Sequence, residues 1–158
     1  GERVILFFEA NGAQAYPQAS APVFDRALNP LEPLALASLE YRLTDATAPG
    51  SDGRFWVSNY FYPGDAKIAP LSDPLAEQFG QGASHAAASV VERLVELQLP
   101  TDGQGSITLT GAPPIQLKLA EGQVARNWEG LTRLDGRGFL LVTDSFPETI
   151  LAFVAGER

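Results

Sequence analysis

Leu39-Glu40-Tyr41-Arg42-Leu43-Thr44-Asp45, then Asp52-Gly53-Arg54, then Phe55-Trp56-Val57-Ser58-Asn59-Tyr60-Phe61-Tyr62-Pro63 is the stretch that decides the fold, because it occurs twice. The second copy, about ninety residues on, runs Trp128-Glu129-Gly130-Leu131-Thr132-Arg133-Leu134, Asp135-Gly136-Arg137 and Leu140-Leu141-Val142-Thr143-Asp144-Ser145-Phe146-Pro147. Each copy is a strand-like segment with a carboxylate near its start, an Asp-Gly-Arg turn, and an apolar strand that ends in Asn or Asp before Phe and Pro. A hairpin repeated with matched polar positions points to an array of similar sheets.

Outward from these hairpins the chain reads as more strands. Val4 to Phe8 is β-branched and aromatic and is stopped by Asn11-Gly12, and Ala13 to Pro22 reads as a surface loop. Val23 to Arg26 is a short strand before a turn at Asn29-Pro30, and one strand is expected from about Leu36 to Thr47. Residues 66–89, rich in Ala, Gly, Pro and Gln, are expected to form a long loop insertion, and segments of that length usually serve as lids or binding loops. Val90 to Leu99 carries both a helical stripe and a strand alternation; the hairpin turn Pro100-Thr101-Asp102-Gly103 favours a strand from about Val91 to Leu99. Ser106 to Thr110, Ile115 to Leu119, Trp128 to Leu134, Phe139 to Asp144 and Thr149 to Val154 complete the set, with no clear helix.

Many short strands separated by turn signals define an all-β protein. The repeat narrows this to a β-propeller portion, in which blades of four antiparallel strands bring equivalent positions of their innermost strands together. With Leu39–Tyr62 and Trp128–Phe146 as inner strand pairs, Leu39 to Leu119 holds one full blade, flanked by the outer strands of a preceding blade and the start of a following one. Residues 1–158 thus form a single domain or partial propeller of two to three blades, fewer than a closed propeller needs.

Composition limits the functional classes. A formal charge of −8 disfavours nucleic acid, whose phosphates need a basic face. The apolar runs Val4 to Phe8 and Phe139 to Val142 are far too short for a membrane span. With no Cys, disulfides and thiolate metal sites are excluded and the redox compartment stays open; the favoured setting is periplasmic or extracellular. The chain has no Met and starts Gly1-Glu2-Arg3-Val4, which is expected of a processed or trimmed product. Its open sheet edges should then be completed by an N-terminal fragment of the same precursor or by a homo-oligomer.

Asn127-Trp128-Glu129-Gly130-Leu131 with Leu140 to Pro147 resembles the Asn-x-Glu-Gly strand and Asp-bearing partner strand of the esterase-like phytase group, six-bladed propellers of bacterial origin. Leu39 to Asp65 is similar to another segment of such propellers, and a more distant likeness extends to gluconolactonase-type propellers. Together these segments cover about a third of the chain. The resemblance implies the C-terminal portion of a larger propeller, and a divalent-ion-assisted hydrolase of a phosphoester, ester or lactone. A non-catalytic propeller that binds a protein or small ligand through its loops is the alternative, since this fold hosts both.

Glu40, Asp45, Asn59, Glu129 and Asp144 fall at corresponding or neighbouring places in the two copies. Hard oxygen ligands converging from several strands suit Ca²⁺ or another divalent cation, and Glu129 and Asp144 are the expected catalytic pair. Strand-end Asp and Asn equally serve to cap turns and bind backbone. Arg42 and Arg126 are candidates for anion contact, whereas Arg54 and Arg137 sit in the turns. Tyr60 and Tyr62, where the strand ends, are expected to be exposed for a flat small-molecule ligand, with Trp56 and Trp128 packed in the core. His85 is the sole histidine, set in an Ala-rich stretch, and is expected to be solvated. No Gly-x-Ser-x-Gly, phosphate loop or dinucleotide fingerprint is present.

Overall fold

The computed structural model describes residues 3–156. Of these, 42% are in strands and 10% in helices, so the chain is all-β. The first strands are β1 (Arg3–Ile5), β2 (Ala10–Asn11), β3 (Ser20–Asp25) and β4 (Pro30–Leu36). The first hairpin of the repeat follows as β5 (Tyr41–Ala46) and β6 (Arg54–Phe61). A short 3₁₀ turn at Ala66–Ile68 and the helices α1 (Pro74–Phe79) and α2 (Ala83–Ala88) precede β7 (Val91–Gln98) and β8 (Ser106–Leu109). Finally come β9 (Ile115–Gln116) and the second hairpin, β10 (Trp128–Leu134) and β11 (Gly138–Thr143), with β12 (Leu151–Ala155).

Ten of the strands fall into three successive antiparallel groups, β1-β3-β4, β5-β6-β7-β8 and β10-β11-β12, while the short β2 pairs the edge of β5 and the short β9 pairs β7. Only the middle group has four strands in sequence order. It lies where one full blade is expected from Leu39 onward, with three-stranded groups on either side. The first two groups are also joined along their outer edge, where β4 and β8 pair in parallel at Ala35–Ser106 and Leu36–Ile107. Together they make a strongly curled, half-barrel sheet, the organisation of part of a propeller-like fold.

Strand alternation explains the layering, because successive side chains leave opposite faces of a sheet. On β6, Phe55 and Val57 turn toward the first group, where they pack with Val23, Leu34, Leu43, Val95 and Leu97. Trp56, between them, packs on the opposite face against the core of Leu94, Trp128, Leu131, Phe139 and Leu141. The middle sheet is therefore covered on both faces. β7 accordingly reads as an almost continuous run of buried residues.

Several expected boundaries shift. The strand anticipated from Leu36 to Thr47 is shorter, β5 at Tyr41–Ala46; the residues before it form the crossing from β4, an unanticipated strand that ends at Leu36. Pro30 and Pro33 lie in the part of β4 that β8 does not reach, since β8 pairs only with Ala35 and Leu36, and they hide the strand in sequence. The segment 66–89 is not structureless. Asp73 caps α1, its Oδ1 accepting from the Leu75 and Ala76 amides at 3.1 and 3.2 Å, with Pro74 at the first helical position. The expected processed start at Gly1-Glu2 lies outside the described residues.

Candidate functional site

The two repeat hairpins meet at Asp45. Its Oδ2 accepts from the Leu131 amide at 2.6 Å and its Oδ1 from the Ala46 amide at 2.8 Å. Both carboxylate oxygens therefore serve backbone, and one of them bridges the middle group to the third. Glu40 is buried, with Oε1 accepting from the Ala13 amide at 3.1 Å. Asn59 is 1% exposed and fully engaged: Nδ2 donates to the Glu40 and Arg42 carbonyls at 2.7 and 3.0 Å, and Oδ1 accepts from Arg93 Nε at 2.7 Å.

Arg93 and Glu92, adjacent on β7, are the centres of two buried ionic networks that sequence reading did not single out. Arg93 gives a forked pair to Asp73 (2.9 and 3.1 Å) and lies 5.5 Å from the centre of the Tyr41 ring. It thereby ties α1 to the middle sheet. Glu92 accepts from the Arg126 amide, from Arg126 Nε and Nη2, and from Trp128 Nε1, all between 2.6 and 2.9 Å. Arg126 also stands 5.0 Å from the centre of the Trp128 ring and donates to the Lys118 carbonyl. Such pairs fix geometry; breaking one by removing a single partner typically costs about 3–5 kcal/mol, because a charge is left buried alone. The signal was in the sequence: two charged residues inside an apolar strand covered on both faces must be paired.

What stays open is a rim built from the ends of the inner hairpins. Arg42 donates to Asp65 through Nε at 2.5 Å and Nη2 at 2.9 Å, and to Glu9 through Nη1. These partners hold its proton even more firmly than usual. Asp144 accepts from Asn127 Nδ2 at 3.0 Å and closes its own turn on the Phe146 amide at 2.7 Å. Glu129 is exposed beside them, and its carboxyl is pushed above the ordinary glutamate value. Partial desolvation is the main cause; the charges of Glu9 and Asp144 add to it, while Asn127 hydrogen bonding and Arg42 oppose it. The Tyr62 ring, 40% exposed, stacks on Tyr60 with centroids 6.2 Å apart.

The expected site thus divides. Glu129 and Asp144 are brought together at the rim, with Tyr62 exposed as expected. Tyr60 is not exposed: at 4% it is part of the buried set, because β6 runs on to Phe61 before the chain leaves the sheet. Arg42 and Arg126 are each matched by carboxylates. Trp128 is core, and Trp56 packs against the same cluster. His85, on α2, is partly covered and stands edge-on to Tyr41, and desolvation depresses its proton affinity.

For a divalent ion the donor set on these residues is thin. Among the described residues no three or more His, Asp or Glu side chains gather about one point. Ca²⁺ takes about six to eight oxygens, yet Glu40, Asp45 and Asn59 are committed to internal hydrogen bonds. Among the described residues no helix is long and apolar enough to cross a membrane. No protein-family model, curated protein or solved structure matched the chain. Fold and rim together define its class: an all-β, propeller-like chain with an acidic rim at the ends of its inner hairpins.

Proposed function

We propose that this chain is part of a propeller hydrolase of the esterase-like phytase kind, acting on a phosphoester, ester or lactone at the rim around Glu129. One observation supports this above the others: Glu129 is an open carboxyl whose proton affinity is raised by its surroundings. A carboxyl tuned upward is better suited than an ordinary one to donate and recover a proton, the work of a general acid or base. Asp144, oriented by Asn127 and the Phe146 amide, stays fixed beside it and helps to hold the proton on Glu129. A divalent ion belongs to this reading only with oxygen ligands from beyond the described residues, and no step is drawn through one.

A second reading is favoured by a specific observation. Glu40, Asp45, Asn59, Arg42 and Arg126 all serve the fold, which suits a non-catalytic propeller that binds a small ligand or a protein through its loops. Initial rates on neutral esters, lactones and phosphoesters, with and without added Ca²⁺, separate the two. Under the first reading Glu129→Gln loses about 10²–10⁴-fold in kcat while its circular dichroism is unchanged. Equal rates for the wild type and Glu129→Gln, or no turnover on any of the three classes, would leave the binding reading.

A further inference from the structure

The middle and third groups pack face to face, and toward the Asp135-Gly136-Arg137 turn their shared core gives way to a cavity of about 230 Å³. It lies at the opposite end of β10 from Glu129. Register shows what its walls present. Trp56 and Glu96 are cross-strand partners on β6 and β7, and Glu96 follows the core residue Leu94 by two positions. Both therefore turn toward the third group. Across the gap Phe139 and Arg133 are partners on β11 and β10, and Arg133 follows the core residue Leu131 by two positions. Both therefore turn toward the middle group. The Trp56 and Phe139 rings meet edge-on with centroids 5.3 Å apart, and Pro113 and Ile115 complete the apolar lining.

One wall thus carries a carboxylate and the other a guanidinium, with an aromatic pair between them. Thr110 Oγ1 donates to Glu96 Oε2 at 2.9 Å and fixes that carboxylate in place. Although Glu96 and Arg133 line the same small cavity, no ion pair joins them. Among the described residues neither has an oppositely charged partner elsewhere. Arg42, Arg93 and Arg126, by contrast, each meet a carboxylate. Opposite charges held apart across a cavity are both matched by one molecule that carries both signs.

We propose that this cavity binds a small zwitterion with an apolar side chain, an α-amino acid of the size of leucine or phenylalanine. Its carboxylate lies on the Arg133 guanidinium, whose fork of donors matches a carboxylate. Its ammonium meets Glu96, and its side chain covers Trp56 and Phe139. Size agrees with this occupant. At about 30 Å³ per water the cavity holds about eight water molecules, the bulk of a free amino acid rather than of a peptide or a nucleotide. Charge decides against simpler ligands: an apolar anion would set its carboxylate near Glu96, and an apolar cation would leave Arg133 unmatched.

The probe is L-phenylalanine, titrated into the full chain and followed by calorimetry and tryptophan fluorescence. Saturable binding is expected. Phenethylamine and hydrocinnamate each keep the ring and one charge, and should bind at least tenfold more weakly, the worth of one hydrogen bond to a charged group. Arg133→Gln should lower affinity for L-phenylalanine at least tenfold while leaving phenethylamine no weaker. Glu96→Gln should do the same while leaving hydrocinnamate no weaker. Circular dichroism should be unchanged in both variants; where one fails to fold, the analogue series on the wild type decides. Absence of saturable binding of L-phenylalanine and L-leucine overturns the proposal. So does a singly charged analogue that binds as tightly, or an affinity indifferent to both substitutions.

Discussion

Glu129 carries its consequence in its titration. Its carboxyl holds a proton more tightly in the folded chain than in the unfolded one. The folded state therefore retains that proton across a window opening at the ordinary glutamate value and closing at the raised one. Below the window the group has no cost; as pH rises through it, stability is lost, because ionisation is harder in the folded chain. Glu129→Gln should match the wild type in urea unfolding at the acid side of the window and exceed it at neutral pH. A difference that stays constant with pH would sever the link. Residue identity announced Glu129 and Asp144, which the structure leaves at the rim, but not the engagement of Asp45 and Asn59. An Asp that binds an ion and an Asp that binds two backbone amides look alike in sequence. The difference lies in what the fold brings opposite them, here Leu131 and Arg93.

At the scale of the elements, the Asp-Gly-Arg turns behave as a repeat should. Gly53 and Gly136 take φ of +79° and +64°, the left-handed conformation that glycine adopts without strain. Gly138, immediately after the second turn, has φ +141°, and a Cβ there would lie 2.0 Å from the Val154 carbonyl oxygen. Gly136→Ala, which meets no atom within 4 Å, should cost about 1–2 kcal/mol, the left-handed penalty alone. Gly138→Ala adds a clash with backbone that cannot swing aside, and should separate the start of β11 from β12. Chemical denaturation of both variants, with amide exchange along β12, measures the contrast; equal losses would refute it. The hairpins were legible because turn chemistry and alternation are local. The helices were not, because Leu75 alone of α1 is buried, so no apolar stripe marks it. Asp73-Pro74 was the readable sign, a capping residue followed by proline.

For the whole molecule, the two end groups each leave one face apolar and open. Val4, Leu6 and Phe8 are 40–53% exposed on the first, and Leu151 and Phe153 are 72% and 55% exposed on the last. Within the molecule such faces are covered by the next group, as Leu131 and Phe139 are by Trp56 and Leu94. Open apolar faces of this kind promote association. Native mass should therefore rise with concentration, and Leu151→Lys with Phe153→Lys should suppress the rise without loss of circular dichroism. A 16.9 kDa monomer at all concentrations would show that the chain needs no cover.

The parallel seam between β4 and β8 gives the middle sheet a further property. Residues 37–105 leave the first group at Leu36 and return beside it at Ser106, with the Ala35 amide bonded to the Gly105 carbonyl at 2.9 Å. Their two ends lie one strand spacing apart, about 4.8 Å. A segment that exits and re-enters at neighbouring points is a cassette. It can be lengthened at its Asp52-Gly53 tip without moving either end, whereas cutting it out would remove one wall from each of the two cores it shares with the strands on either side.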